Sequence, residues 1–243
     1  MERRRKISEG INNALQSIAG GRERTNILHK SELWTIAFLV RRIPPWISSD
    51  MLTALGLAGN MVVFLGLVLA SYFNAWYLLL GPLGLMINWF GDSLDGRLAY
   101  FRKRPRKWYG FSLDIAADWT GIIFIGIGFM IYVDPLWNLL VYAFVALYGG
   151  SIIMAMLRYK ITGKYSIDNG FLGPTEVRIA LALILMAELL FRGSINYAGA
   201  LASLALFVFN VVEFFRLLKL ADARDRSERE KGEEDVQEDH HIQ

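Results

Sequence analysis

The chain has 243 residues, 54% of them hydrophobic and 13% aromatic, with a mean hydropathy of +0.33 and a formal net charge of +3. That balance points to an integral membrane protein and away from a soluble globule. The absence of cysteine excludes disulfides, thiolate metal sites and a cysteine nucleophile.

In chain order, residues 1 to 30 are polar and basic. The opening MERRRKISEG leads into polar residues instead of an apolar core, so it is expected to be retained and not cleaved as a signal. SELWTIAFLVRRI follows and is too short to span a bilayer. Its Trp34, Phe38, Arg41 and Arg42 suggest an amphipathic helix lying in the membrane interface, with an ordinary buried helix as the other reading. Pro44 and Pro45 break it, and Trp46 suits an interfacial position.

Six apolar runs come next, at approximately 51 to 73, 76 to 99, 110 to 133, 135 to 157, 174 to 192 and 197 to 219. Each approaches the roughly 20 residues that cross a hydrocarbon core as helix. The tail from Asp222 to Gln243 has few apolar residues and reads as a short helical continuation followed by disorder. The predicted architecture is an all-α membrane protein, six transmembrane helices preceded by an N-terminal amphipathic interfacial helix. Residues 1–49 form the arm and interfacial helix, 50–220 the transmembrane catalytic domain and 221–243 the charged tail.

Basic residues gather in the N-terminal arm, at Arg41 and Arg42, along FRKRPRK, at Arg158, Lys160 and Lys164, and at Arg216 and Lys219. With six spans these clusters share one side, and the opposite links carry Arg192. The positive-inside rule then puts both termini and the FRKRPRK loop in the cytoplasm, and a bacterial or archaeal cytoplasmic membrane is the expected location. A nine-residue loop between two spans fits a membrane surface or an anionic substrate better than nucleic acid. The chain contains no phosphate loop of the GxxxxGK[ST] type and no nucleophile elbow.

The sharpest anomaly is GDSLDGRLAYFRKRPRKWYGFSLDIAADW, residues 91–119, which sets four carboxylates at the ends of two apolar runs. On an ideal helix Asp92, Asp95, Gly96 and Ala99 share a face of roughly 100°. Gly110, Asp114 and Asp118 fall within about 80° of one another on the next helix, with Gly121 on the same side. The hairpin between the helices lets the two faces meet. Four like charges in a low dielectric persist only if they are protonated, paired or holding cations. Oxygen-only donors favour Mg²⁺ or Mn²⁺, and four carboxylates suffice for two ions of the kind that serve phosphoryl displacement. Small residues at 96 and 99 leave room for a flat base and a diphosphate.

The spacing Asp-x2-Asp-Gly-x2-Ala-Arg-x8 or x9-Gly-x3-Asp-x3-Asp marks the CDP-alcohol phosphotransferases, and the chain resembles that family at Asp92, Asp95, Gly96, Ala99, Gly110, Asp114 and Asp118. Its PPWISSDMLTALGL entry and six-helix plan are similar too. The resemblance implies a binuclear Mg²⁺ or Mn²⁺ site, a CDP-linked alcohol donor, an alcohol acceptor, release of CMP and a homodimer embedded in membrane lipid. Asp92, Asp95 and Asp114 would be the principal metal ligands. Asp118 would join them in the metal set and would also be the base that deprotonates the acceptor.

Donor contacts would come from Gly96, Arg97, Ala99, Tyr100, Arg104 and Gly110. Tyr100 is the departure, standing where the family has an arginine; Arg97 or Arg104 could approach the same side if the helix continues. Arg158, Lys160, Lys164 and Arg178 are acceptor-binding candidates, and lipid-headgroup anchoring is their alternative. One version of the reaction uses CDP-diacylglycerol with a small polar acceptor such as inositol phosphate or glycerol phosphate. The other joins a CDP-linked choline or ethanolamine to a lipid alcohol. A transporter with intramembrane carboxylates and a non-catalytic scaffold are the competing classes.

Outside the motif, Glu188 and Glu213 sit within apolar runs and are functional candidates by default, although Arg216 offers Glu213 a structural partner. Asn60, Asn88 and Asn210 are expected to bond between helices, and Asn88, one turn before Asp92, is also a nucleotide-contact candidate. Gly126, Gly128, Gly149 and Gly150 are expected to permit close packing.

Overall fold

A computed structural model describes residues 29–163 and 174–241, with side chains described for 32–163 and 174–230. The basic N-terminal arm and Lys164 lie outside the described residues. The described chain is helical throughout, with α1 (His29–Val40), α2 (Ser49–Tyr72), α3 (Leu80–Phe101), α4 (Lys107–Tyr132), α5 (Asn138–Thr162), α6 (Pro174–Leu190) and α7 (Ser194–His241). Short 3₁₀ turns, Ala75–Leu79 and Pro135–Trp137, precede α3 and α5.

Among the described residues, four segments are long and apolar enough to cross a membrane: Ser49–Tyr72, Lys107–Tyr132, Pro135–Thr162 and Ser194–Glu230. The other two expected spans fall short for different reasons. The 22 residues of α3 include Asp92, Asp95 and Arg97, and α6 has only 17 residues. Many large apolar side chains of α4, α5 and α7 point outward, among them Ile127, Leu139, Ile153, Leu201, Phe207 and Phe215. Helices this apolar that leave such side chains uncovered suit lipid as their solvent.

Local chemistry sets the helix ends. Ser48 caps α2 by accepting from the Met51 amide at 3.1 Å, directly after the proline break. Asn74 and Asp134 cap the two 3₁₀ turns in the same way. At the end of α3, the Arg104 amide donates to the Ala99 carbonyl and the Lys103 amide to the Tyr100 carbonyl, both at 2.9 Å, while Lys103 takes φ +56°. These two bonds form a Schellman reversal with lysine where glycine is usual.

The closest packing is between α2 and α3, which run antiparallel. A Cβ on Gly91 would lie 2.4 Å from the Gly56 nitrogen and the Leu52 oxygen, and one on Gly59 would lie 2.4 Å from the Asn88 nitrogen. Backbone therefore meets backbone, as small-residue faces allow in membrane bundles. α4 joins this pair through Gly121 on Asn60 and Gly128 on Leu67 and Phe64. α6 lies along α3, with Leu185 against Gly81. α5 and α7 pair separately: Asn210 donates to the Leu147 carbonyl and accepts from Ser151, both at 2.7 Å. Gly126 meets Val145, and Trp119 covers Gly149, so α5 also packs on α4.

At one end α1 is anchored by Ile36, Ala37 and Val40, which pack with Leu52, Leu94 and Leu98, while Trp34 stays exposed. The tail differs from the expected early loss of helix, because α7 continues to His241. Its polar extension gains Asp222–Arg226 and Arg224–Glu228 pairs at four-residue spacing. Arg224 also donates to the Lys160 and Ile161 carbonyls at 2.8 Å, satisfying acceptors at the end of α5.

Candidate active site

The crossing of α2, α3 and α4 leaves a narrow cleft lined by Thr53, Gly56, Leu57 and Asn60 from α2, Asn88, Asp92 and Asp95 from α3, and Asp114, Ala117 and Asp118 from α4. All four motif aspartates reach it. Asp92, Asp114 and Asp118 each offer an oxygen such that the three lie within 4.8 Å of one another. Asp95 stands deeper and is buried. Its Oδ2 accepts from the Thr53 hydroxyl at 2.6 Å, its Oδ1 accepts from the Gly96 amide, and Ser49 donates to its main-chain carbonyl at 2.7 Å.

The donor set consists of hard oxygens, and three carboxylates converge on one point, so the residues fit a divalent cation such as Mg²⁺ or Mn²⁺. A bound ion there would also relieve the repulsion among them. The motif glycines support a second feature. A Cβ on Gly96 or on Gly110 would meet nothing within 4 Å, so packing does not require glycine at either position. Both positions are exposed next to the acid-bearing turns, which leaves space there for a ligand.

Arg178, from the first turns of α6, donates from Nη2 to Asp92 Oδ2 at 2.6 Å and from Nε to Asn88 Oδ1 at 2.7 Å. The structure thus brings this acceptor candidate to the acids. Asn88 also donates to the Gly56 carbonyl at 3.0 Å, so it both joins two helices and holds the guanidinium.

Other candidates stand elsewhere. Arg158 forms a mostly buried ion pair with Glu213, replacing the expected Glu213–Arg216 pair. The reason is tertiary: α5 lies beside α7, and its arginine reaches Glu213 before a neighbour on the same helix does. Lys160 lies near the end of α5. Arg97 donates to the Ser93 carbonyl of its own helix at 2.9 Å. Arg104 does not continue the Tyr100 face, because α3 ends at Phe101 and the chain reverses through Lys103. Tyr100 itself is exposed.

The basic hairpin is partly structural. Arg102 donates to the Ile47 and Pro44 carbonyls, at 2.5 and 2.9 Å, and Arg106 pairs with Asp50, so both clamp the hairpin to the entry of α2. Sequence reasoning missed Ser49 and Thr53, which hold Asp95. Their spacing was a signal: Ser49, Thr53, Gly56 and Asn60 form one helical stripe of polar or small residues in an apolar helix.

Glu188 is buried at the opposite end of α6 and accepts four hydrogen bonds. Tyr132 Oη and the Gly193 amide donate to Oε1 at 3.1 and 2.9 Å, and the Ser194 hydroxyl and Ile195 amide to Oε2 at 3.1 and 2.9 Å. It therefore caps the start of α7.

An integral membrane bundle with aspartates from two adjacent helices on one cleft defines a class, and sequence comparison agrees with it. Residues 46–212 match the family model for CDP-alcohol phosphatidyltransferase, and the chain belongs to that family of membrane phosphotransferases. Among curated proteins it is 28% identical over 191 residues to cholinephosphotransferase 1 of Gallus gallus, covering 72% of this chain and 53% of that protein. The chain thus spans about half the length of the curated relative it matches. That relative comes from an animal, which takes weight from the expected bacterial or archaeal membrane.

Proposed function

We propose that the chain transfers a substituted phosphate group from a CDP-linked alcohol to the hydroxyl of a second alcohol, releasing CMP. The observation that carries this reading is the convergence of Asp92, Asp114 and Asp118 beside open space at Gly96 and Gly110. In it Asp92, Asp95, Asp114 and Asp118 would hold divalent ions, two in number. Ions bound there would supply charge stabilisation for the phosphoryl oxygens. Asp118 accepts the proton of the acceptor hydroxyl. The freed oxygen forms a bond to the donor's β-phosphorus as the bond from that phosphorus to CMP breaks, and the proton later leaves Asp118 for solvent. Thr53 and the Gly96 amide fix the Asp95 carboxylate, as partners of metal ligands do.

The choice of substrates turns on the basic residues. By charge alone Arg158, Lys160, Lys164 and Arg178 favour a phosphorylated acceptor, but Arg158 pairs with Glu213 and Arg178 is bonded to Asp92. The relative's name carries the opposite reading, a CDP-linked head group passed to a lipid alcohol. We favour that second version on those two observations. Purified chain in lipid nanodiscs with Mn²⁺ should release CMP from CDP-choline or CDP-ethanolamine only when diacylglycerol is added. Release from CDP-diacylglycerol with glycerol phosphate or inositol phosphate instead restores the first version. No alcohol-dependent release from any donor counts against the transferase.

The same reading takes six helices, α2 to α7, as membrane-crossing, with α3 and α6 shielded by their neighbours and α1 at the interface. The cleft end carries Arg41, Arg42, Lys103, Arg104 and Lys160, against Arg192 at the other, so the cleft and both termini face the cytoplasm. A homodimer is the assembly that family resemblance implies.

A further inference from the structure

At the end of the bundle opposite the cleft, a cavity of about 300 Å³ lies between the ends of α2 and α4 and the turn from α6 to α7. That volume is at the lower end of the roughly 300 to 1,000 Å³ typical of small-molecule sites. Asp134, Glu188, Arg192 and Asn196 are among the residues that line it. Exposed aromatic side chains gather at the same end. Tyr72, Phe73, Trp76 and Tyr77 stand at the close of α2 and in the turn after it, and the exposed Tyr197 meets Trp137 with ring centroids 5.9 Å apart. Aromatic belts of this kind mark a membrane–water boundary, so the cavity lies at the depth of lipid head groups.

The three charged groups of the cavity are not equivalent. Glu188 has both oxygens filled by four protein donors and is already satisfied. Asp134 uses Oδ1 to accept from the Leu136 amide at 3.0 Å, and among the described residues nothing fills its Oδ2. Arg192 is exposed and, among the described residues, pairs with neither acid, although all three line one cavity. The side-chain oxygen of Asn196 is buried beside them without a hydrogen-bond partner. A cation and an acid that share a cavity without meeting suit a ligand that carries both charges. A plain anion would encounter two carboxylates there, and a plain cation the guanidinium. Phosphoethanolamine brings a partner for each. Its phosphate suits the guanidinium fork, and its ammonium offers three N–H donors to Asp134 Oδ2 and the Asn196 oxygen. A quaternary ammonium such as choline has no N–H to give.

We propose that this cavity binds the head group of phosphatidylethanolamine from the leaflet opposite the cleft, with Arg192 on the phosphate and Asp134 on the ammonium. The site is separate from the aspartate cleft and does not depend on the transferase reading. A lipid held there would tie together the ends of α2 and α4 and the turn between α6 and α7, which all border the cavity.

The test uses the purified full chain in detergent, titrated with phosphatidylethanolamine, phosphatidylcholine, phosphatidylglycerol or soluble phosphoethanolamine, with binding read by native mass spectrometry and by melting temperature. The wild type should retain phosphatidylethanolamine at least about tenfold more tightly than the other two lipids and melt higher with it. Arg192→Gln and Asp134→Asn should each weaken that binding by about tenfold. Both side chains are exposed, and asparagine keeps the cap on the 3₁₀ turn, so lipid-free melts of the two variants should match the wild type. Asp92→Asn, in the cleft, should bind the lipid as the wild type does. Equal retention of the three lipids, or phosphatidylethanolamine binding unchanged in Arg192→Gln or in Asp134→Asn, overturns the proposal. Binding lost in Asp92→Asn and kept in the other two variants puts the lipid in the cleft and overturns it as well. Soluble phosphoethanolamine bound as tightly as the lipid overturns the assignment to a lipid. Should one variant not fold, the lipid preference of the wild type and the other variant still decide.

Discussion

The two ends of α6 meet carboxylates of opposite character. Near its start, Arg178 bonds to Asp92, one of three aspartates whose oxygens crowd within 4.8 Å. Ten residues later, about 15 Å along the helix, Glu188 is buried with both oxygens filled by four protein donors. Each is an acid inside an apolar bundle. Glu188 has its charge spread over donors that the fold supplies, so it needs nothing else. The aspartates face one another, and the favourable partner for such a cluster is a cation. An intramembrane carboxylate is therefore read by what surrounds its oxygens and not by its depth.

The largest effect that would sharpen this contrast is at Asp118. Asp118→Asn should lower turnover by about 10²- to 10⁴-fold, the range for loss of a general base, while CDP still raises the melting temperature in the presence of Mn²⁺. Near-normal turnover in that variant would defeat the base assignment.

Glu188 should respond in the other way. Glu188→Ala strands two backbone amides and two hydroxyls at the start of α7, an expected loss on the order of 3 kcal/mol. Turnover per folded molecule should hold, since the change is at the far end from the cleft. Denaturant melts paired with CMP release check both halves. A stable variant with lost turnover would mean that the two ends are not distinct.

Two glycines five residues apart on α3 offer a finer test. Gly91→Ala sets a Cβ against the α2 backbone and should cost about 2 kcal/mol or more. By prising α2 from α3 it should also draw Thr53 from Asp95 and weaken Mn²⁺ binding. Gly96→Ala meets no atom within 4 Å. It should hold or raise stability by about 0.5 kcal/mol, since alanine suits helices better, and raise KM for the CDP donor. An unchanged KM would remove donor space as the reason for glycine at position 96.

How much of this was legible follows from the range of each interaction. The aspartates lie three or four residues apart on each helix, so their shared face could be read from periodicity alone, and the short hairpin implied that the faces meet. The stripe Ser49, Thr53, Gly56 and Asn60 was equally periodic, but nothing local says which face of α2 turns toward the acids. Arg178 was visible as a cation, whereas its bond to Asp92 depends on α6 lying along α3, eighty-six residues apart in sequence. Glu188 was misleading because two of its donors are backbone amides, which the sequence does not distinguish. The Arg102 and Arg106 clamps replaced a simple substrate-attracting loop for the same reason: their partners are in the proline segment and the first turn of α2.

The smallest effect concerns strain at the turn beside the acids. At the far end the chain takes its left-handed residue as Gly193, φ +89°, but the reversal after α3 uses Lys103 at φ +56°. A non-glycine residue there costs about 1 kcal/mol relative to glycine. Lys103→Gly should therefore raise stability by about 0.5 to 1 kcal/mol, less the entropy that glycine adds to the unfolded chain. If lysine stands there only as an exposed loop cation, turnover and KM should not change, and denaturant melts will show the gain alone. If KM for the CDP donor rises while stability improves, the strain is retained for the ammonium group. The hairpin then belongs with the cleft, as a contact for the anionic donor, and not with the self-sufficient chemistry around Glu188.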